Sequence, residues 1–304
     1  MNGKKLGAYL IIGGCYAAAC AVGWLVFLLL TPERNGASDI VWGLLAGDAA
    51  ATVIVWAFGL IFKNSSFYDP YWSLVPWLLI LGVMIRYNLF RSANIVFLTV
   101  FGGWSWRLTI NWAYTCTDLK CQDWRYVMFK EQNKPVMWHI INFFGINMIP
   151  TALVFIGTMP AVLMLLENAD FAPSMLTGAA VIIGAVLLEV FADLAMHGFR
   201  RNNTDPAAVL KSGLWKFSRH PNYFGEISMW LGVYLMALPV IYDKWYMFAG
   251  FVLIAALFGF ISIPLMEKRQ TAKRAGYKEY IRTTSPLFPL PPKLWRVITK
   301  LKKN

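Results

Sequence analysis

One short stretch of the chain, residues 213–226, carries side chains suited to a phosphate-bearing cofactor. Arg219 and His220 offer hydrogen-bond donors, and a guanidinium group matches phosphate oxygens as a planar fork. Pro221 suits the first turn of a helix, where unpaired backbone N–H groups form a natural anion site. Asn222 offers both a donor and an acceptor, which suits an amide or a purine edge. The stretch therefore predicts a cofactor pocket that begins at a helix N-terminus.

A basic loop beside the membrane, meeting anionic lipid headgroups, is the alternative interpretation of this stretch. It accounts for Lys216 and Arg219 but not for Asn222 or for Glu226, an acid that falls inside an apolar run. The sequence contains no G-x-G-x-x-G segment after a strand pattern and no G-x-x-x-x-G-K-[ST] segment. A nucleotide site in this chain is therefore of a different design from those two.

Ionisable residues inside apolar runs are costly in lipid and are functional candidates by default. Glu189 and Asp193 are four residues apart on one helix face, and His197 and Arg200 continue that face. Two acids so placed repel each other unless a cation or a hydrogen-bond donor meets them. The stripe predicts either a functional site or an internal salt-bridge ladder.

A second cluster of polar and aromatic residues lies at 64–76, where the third apolar run begins. Asp69 lies between Tyr68 and Tyr71, and an acid beside phenols in a dry pocket is able to donate a proton to a carbonyl group. The alternative is that Asp69 and Pro70 cap the helix while the aromatic residues belong to the membrane belt. The residues alone favour neither interpretation.

Two further sets of residues point to structure more than to chemistry. Asp48, in a run of small residues, is expected to pair with Arg107 or to lie near an interface. Of the four cysteines, two lie in an apolar run and two flank a polar loop that has no suitably spaced histidines. No metal site is predicted from them.

The composition shows what kind of element must position these residues. The chain of 304 residues is 58% hydrophobic and 14% charged, whereas soluble domains average about 45–50% apolar and about 25% charged residues. This excludes an ordinary soluble enzyme, a disordered chain and a disulfide-rich secreted module. A spanning helix needs about 20 mostly apolar residues. We predict an all-α membrane bundle from eight such runs, or seven and a re-entrant helix: 6–30, 40–62, 74–89, 95–114, 139–166, 175–197, 223–241 and 245–266.

The basic residues predict the orientation of this bundle. With eight spans, 23 of the 28 lysines and arginines fall on one side of the membrane, which the positive-inside rule assigns to the cytoplasm. Both termini and the cofactor stretch are then cytoplasmic, in a bacterial inner membrane or the endoplasmic reticulum. Basic residues at helical spacing over 267–282 predict a lipid-facing amphipathic helix or a site for a distal phosphate. No nucleic-acid-binding module is recognisable, so membrane lipids and a small molecule are the expected partners.

Three segments together resemble the steroid 5α-reductase family, and most closely its branch of largely uncharacterised bacterial and eukaryotic membrane proteins. They are Ser-Arg-His-Pro-Asn-Tyr-Phe-Gly-Glu at 218–226, Tyr-Asp-Pro-Tyr-Trp-Ser at 68–73 and Ile-Pro-Leu-Met-Glu-Lys-Arg at 263–269. The resemblance covers about residues 40–290. It implies an N-terminal helix and loop at 1–39, a reductase-like membrane domain at 40–290 and a basic cytoplasmic tail at 291–304.

The resemblance implies a bundle of seven or more helices that uses NADPH to reduce a 3-oxo-Δ4 steroid or a similar apolar enone. Asp69 matches the family's catalytic acid, and because Trp104 stands where the family has its partner tyrosine, Tyr71 or Tyr68 is expected to provide the phenol. Glu189 stands where the steroid reductases carry asparagine. The predicted cofactor-binding residues are Arg107, Glu189, Asp193, Arg200, Arg219, His220, Asn222, Tyr223, Glu226 and Arg269.

Two other functions remain open at this stage. An S-adenosylmethionine-dependent methyltransferase of the isoprenylcysteine type shares Arg-His-Pro-x-Tyr-x-Gly, although Asn222 and Glu226 favour a reductase. A paired Glu-Glu typical of those methyltransferases is missing, because Lys268 follows Glu267. A non-catalytic lipid-binding membrane protein is the other alternative, and Trp104 is its best support.

Overall fold

The structure, a computed structural model, describes residues 3–32, 36–116 and 118–301, and within these ranges the chain is helical and contains no strand. This confirms the predicted all-α class. The α-helices of the described residues are α1 (Gly3–Leu30), α2 (Ala37–Ile61), α3 (Tyr71–Tyr87), α4 (Ser92–Thr115), α5 (Trp124–Gln132), α6 (Pro135–Ile140), α7 (Ile149–Glu167), α8 (Leu176–Asn202), α9 (Pro221–Ala237), α10 (Ala249–Leu257), α11 (Ile263–Lys273), α12 (Tyr277–Thr283) and α13 (Pro292–Leu301).

Six helical segments of the described residues are long and apolar enough to cross a membrane, so the chain is an integral membrane protein. The two remaining predicted runs fall on α4, which is less apolar and carries Arg107, and on α9, which has only 17 residues. The count of seven or eight spans and the side of the termini stay predictions. Residues 33–35 of the first predicted loop and residues 302–304 of the predicted tail lie outside the described residues. The six segments are Lys5–Leu30, Ala37–Ile61, Ser65–Tyr87, Pro135–Glu167, Pro173–Asn202 and Trp245–Lys273.

The chain divides into two compact units, and unit one comprises the described residues of Met1–Met175 and Ala237–Gly250. In it α1 packs along α2, and the two backbones approach closely at Gly23 and Gly47. A Cβ atom on Gly23 would lie 2.7 Å from the carbonyl oxygen of Gly47, so the crossing requires glycine.

Pro150, in the predicted fifth run, is accommodated in one continuous helical segment of unit one. A π-helical stretch, Ile141–Met148, joins α6 to α7, and Pro150 lies in the first turn of α7. The wider π turns and the helix start remove the need for the N–H group that proline lacks. Asn168 in the left-handed conformation then ends α7.

Unit two comprises the described residues of Leu176–Met236 and Phe251–Asn304. Its two principal helices, α8 and α9, pack in close contact through glycines. A Cβ atom on Gly178 would lie 2.1 Å from the backbone nitrogen of Met236, and one on Gly232 would lie 2.7 Å from Cγ1 of Ile182. This close packing fixes which residues of α8 face the beginning of α9.

Candidate functional site

The loop before α9 is hydrogen-bonded to the segment that follows α12. The backbone nitrogen of Arg219 donates to the carbonyl oxygen of Ser285 at 2.8 Å, and Oγ of Ser218 donates to the carbonyl oxygen of Leu287 at 2.7 Å. The hydroxyl of Tyr280 donates to carbonyl oxygens of the same loop. These bonds hold the predicted cofactor stretch against the C-terminal part of the chain.

The guanidinium of Arg219 is buried and surrounded by acceptors of the protein itself. Its side chain is only 5% exposed, and Nε donates to Oε1 of Glu267 at 2.7 Å. Nη1 donates to the carbonyl oxygen of Ile281 at 2.9 Å and to that of Thr284. Arg219 therefore connects α11 and α12 to the start of α9, a role that sequence reasoning did not foresee.

His220 shares the carboxylate of Glu267. Nε2 of His220 lies 3.3 Å from Oε1 of Glu267, and its ring stacks on that of Tyr223 with centroids 5.1 Å apart. Burial lowers the pKa of His220, and the neighbouring Glu267 opposes that shift only in part. The ring is therefore neutral at pH 7 and can donate or accept one hydrogen bond at Nε2.

Gly225 allows Glu189 of α8 to reach the start of α9. A Cβ atom at this position would lie 2.4 Å from Cγ of Glu189 and 3.0 Å from the carbonyl oxygen of Ala185. The close approach at Gly225 is thus made by another helix. At the next position, the buried Glu226 accepts a 2.9 Å hydrogen bond from Nε1 of Trp230.

Three arginines gather at the C-terminal end of α8. Arg200 interacts electrostatically with Arg269 and Arg274 as well as with Asp193. Asp193 in turn lies 3.5 Å, from Oδ1 to Nδ2, from the side-chain amide of Asn222. This arginine cluster, defined as Arg200, Arg269 and Arg274, has the composition of a site for a multiply charged anion.

In unit one, Asp69 accepts a hydrogen bond from a residue outside the predicted set. The hydroxyl of Tyr126 in α5 donates to Oδ1 of Asp69 at 2.7 Å. Burial, together with the charge of Asp69, raises the pKa of Tyr126 well above its usual range, so the phenol keeps its proton. The loop that precedes α5 is held to the residues before Asp69 by Asn64, whose Nδ2 donates to the carbonyl oxygens of Leu119 and Cys121.

Tyr71, the predicted phenol partner of Asp69, donates instead to Oδ1 of Asp48 at 3.0 Å. Thr52 and Thr151 connect this pair to the hydroxyl of Tyr68 through distances of 3.3, 3.0 and 2.8 Å. We call these five residues the hydroxyl network. Its members come from α2, from α7 and from the segment Ser65–Tyr87, and all are buried.

Trp104, expected to replace a partner tyrosine, is part of the packed interior of unit one. It is fully buried and stacks on Phe101 with ring centroids 5.0 Å apart. Arg107, one turn further along α4, is half-buried. A tryptophan in this position fills space and offers no hydroxyl proton.

The structure brings most predicted cofactor residues together in unit two. Arg107, Asp69 and Tyr71 belong to unit one. Sequence reasoning missed Tyr126; the only signal for it is the aromatic spacing of Trp124, Tyr126 and Phe129 in a loop that is otherwise polar. Among the described residues no group of three acids, histidines or cysteines could hold a metal ion, and the four cysteines are free. The predicted residues of unit two are Glu189, Asp193, Arg200, Arg219, His220, Asn222, Tyr223, Glu226 and Arg269.

Comparison with known proteins gives a family but no activity. A family model described as "Protein of unknown function (DUF1295)" matches residues 55–284. The uncharacterized protein C594.04c of Schizosaccharomyces pombe is 24% identical over 297 residues, which covers 86% of this chain and 85% of that protein. No solved structure matches the chain.

Proposed function

The chain belongs to the DUF1295 family, and on that premise we propose that it is a membrane-embedded reductase that uses NADPH to reduce the C=C bond of an apolar enone, such as a 3-oxo-Δ4 steroid or a sterol-like lipid. The observation that carries the proposal is the arginine cluster beside Asp193. Three guanidinium groups in electrostatic contact suit a ligand that carries several negative charges. The phosphate groups of a dinucleotide match this requirement.

The residues around the cluster fit the remainder of such a cofactor. Asn222, held near Asp193, offers an amide to a nicotinamide or an adenine edge. The stacked rings of His220 and Tyr223 provide a flat surface beside it. Arg219 contributes by holding α11, which carries Arg269, against the start of α9. When bound, NADPH would supply the hydride, which the protein cannot.

Asp69 and Tyr126 fit the proton side of the same reaction. Reduction of an enone leaves negative charge on the carbonyl oxygen, and a neutral acid that hydrogen-bonds to that oxygen stabilises the charge as it develops. Tyr126 keeps its proton and shares it with the carboxyl of Asp69. Tyr126 belongs to a cluster of buried residues with Trp138 and Ile146, and an apolar cluster beside a polar pair suits an apolar substrate.

Cofactor binding to the purified protein in detergent tests the first half of the proposal. We expect NADPH to bind and to raise the melting temperature, and Arg200→Gln to weaken binding about 10- to 100-fold, since charge-assisted hydrogen bonds contribute about 1.5–3 kcal/mol. Arg201→Gln is the matched control, because Arg201 is the next residue and lies about 100° around the helix. Binding of S-adenosylmethionine instead of NADPH would assign the chain to methyl transfer.

Turnover tests the second half. With a 3-oxo-Δ4 steroid or another apolar enone, NADPH oxidation should require Asp69, and Asp69→Asn should lower kcat about 100-fold or more. Tyr126→Phe should lower kcat by a smaller factor and leave the Kd of NADPH unchanged. If NADPH does not bind, and if Asp69→Asn leaves the function in cells intact, the chain is a non-catalytic lipid-binding protein.

A further inference from the structure

Helix α13 separates its apolar and basic residues around its axis. Leu294 and Val297 are three residues apart and share one side, and Lys293 and Arg296 lie along one edge of that side. Leu294 is 47% exposed and Val297 is 54% exposed, and both basic side chains are exposed as well. The outer surface of α13 is thus apolar with a basic border.

The other side of α13 is anchored to unit two. Nε1 of Trp295 donates to the carbonyl oxygen of Ile281 at 3.3 Å, and α13 packs against α12. Trp295 and Ile298, on this side, are half-buried. The exposed face is therefore held outward by the fold, because α13 cannot turn it inward without breaking the contact with α12.

We propose that α13 lies in the membrane interface, with Leu294 and Val297 inserted among the lipids and Lys293 and Arg296 bound to anionic phospholipid headgroups. Two basic side chains beside an apolar face are the pattern of helices that lie in the plane of an anionic membrane surface. The sequence continues this charge, with Lys302 and Lys303 at the end of the chain.

The position of α13 in the chain also favours a lipid surface. Only eighteen residues separate it from the end of the apolar segment Trp245–Lys273, so it stays close to the bilayer. A second copy of the chain is a poorer occupant, because two exposed aliphatic side chains offer much less than the roughly 800 Å² per partner of a stable interface. This proposal does not depend on the proposed enzymatic function.

Quenching of a fluorescent label by brominated lipid tests the proposal on the full-length protein in nanodiscs. The label is placed at Val297→Cys in a Cys20→Ser/Cys121→Ser background, since Cys15 and Cys116 are buried. A label at Phe260→Cys, 82% exposed in a spanning segment, gives the lipid-facing reference. A label at Glu279→Cys, on the exposed surface of α12, gives the water-facing reference.

We expect the label at 297 to be quenched at least half as strongly as the label at 260 when the nanodiscs contain phosphatidylglycerol, and much less in phosphatidylcholine alone. Lys293→Gln/Arg296→Gln should lower the ratio of docked to undocked α13 about 25-fold, since each basic residue near an anionic surface contributes about a factor of five. Lys278→Gln/Arg282→Gln on α12 is the charge-matched control and should change the ratio much less.

Three results would overturn the proposal. The label at 297 would behave like the label at 279 in both lipid mixtures if α13 stays in water. Equal quenching with and without phosphatidylglycerol would show that α13 does not bind anionic headgroups. Shielding of the label that depends on protein concentration and not on lipid would identify the face as a contact between copies.

Discussion

Glu267 and Asp48 are both acids of apolar segments, and the structure gives them partners of opposite kinds. Glu267, near the end of its segment in unit two, meets the guanidinium of Arg219 and the ring of His220. Asp48, in the middle of α2 in unit one, accepts from the hydroxyl of Tyr71 and belongs to the hydroxyl network. One acid is in an ion pair and the other is in a chain of neutral donors.

The difference follows from what it costs to place charge in lipid. Close to the end of a span, water reaches charged groups and backbone carbonyl oxygens accept hydrogen bonds from the cation, whereas in the middle of a span each charge is expensive. Hydroxyl groups satisfy a carboxyl group there without adding a second charge. We infer that unit two uses charge to hold its loops together and that unit one uses hydroxyls to join its helices.

Removal of Arg219 should have the largest effect on stability. Arg219→Ala leaves the carboxylate of Glu267 without its guanidinium partner and two carbonyl oxygens without their donor, and breaking a buried ion pair costs about 3–5 kcal/mol. Arg219→Lys keeps the charge but lacks the planar fork, so it should recover only part of the loss. Unfolding of the purified protein in detergent measures both variants, and the exposed Arg201→Ala should change little. If Arg219→Ala lowers the free energy of unfolding by less than 1 kcal/mol, the ion pair does not hold the loops of unit two together.

Substitution of Gly225 by alanine should have the next largest effect on stability. Gly225→Ala places a Cβ atom 2.4 Å from Cγ of Glu189, so the Glu189 side chain must move or α8 and α9 must separate, at a cost of about 2 kcal/mol. Gly184→Ala in α8 meets nothing within 4 Å and is the matched control, expected to be neutral or slightly stabilising. The same unfolding measurement applies. Equal behaviour of the two variants would mean that α8 and α9 do not pack through Gly225.

How much of this was predictable from the sequence depends on the distance between partners along the chain. The all-α class, the apolar segments and the shared face of Glu189 and Asp193 follow from local spacing, which the helix period fixes. The pairing of Asp69 with Tyr126 joins residues 57 positions apart and depends on how α5 packs. No local pattern encodes such a contact.

Arg219 illustrates a second limit. A guanidinium group binds phosphate and carboxylate oxygens with the same fork, so its type and its neighbours suit both partners. The sequence favoured a cofactor phosphate, whereas the structure supplies Glu267, 48 residues away, and carbonyl oxygens beyond it. The local sequence shows that a donor is present, but tertiary packing decides which acceptor it meets.

Within the hydroxyl network, loss of one hydroxyl should cost less than loss of an ion pair. Tyr71→Phe removes the donor to Asp48 and a neighbour of Thr52 and should destabilise the protein by about 1 kcal/mol, in the range of hydrogen bonds inside membrane proteins. Tyr242→Phe, a change at a 76% exposed position of the same unit, is the control. A loss as large as that of Arg219→Ala would show that the network carries as much stability as the ion pair.

The smallest expected effect is a change of stability with pH that arises from His220 in unit two. Because burial lowers the pKa of His220, the unfolded chain takes up the proton first as the pH falls below about 6.5. The contribution of His220 is therefore complete above that pH and is lost as the pH falls towards the lowered pKa of the folded protein. His220→Gln should flatten the stability profile in this window, whereas His139→Gln, at an exposed position in unit one, should leave it unchanged. If stability instead rises as the pH falls, protonated His220 pairs with Glu267 strongly enough to outweigh the cost of burial. The ion pair of unit two would then contain two cations.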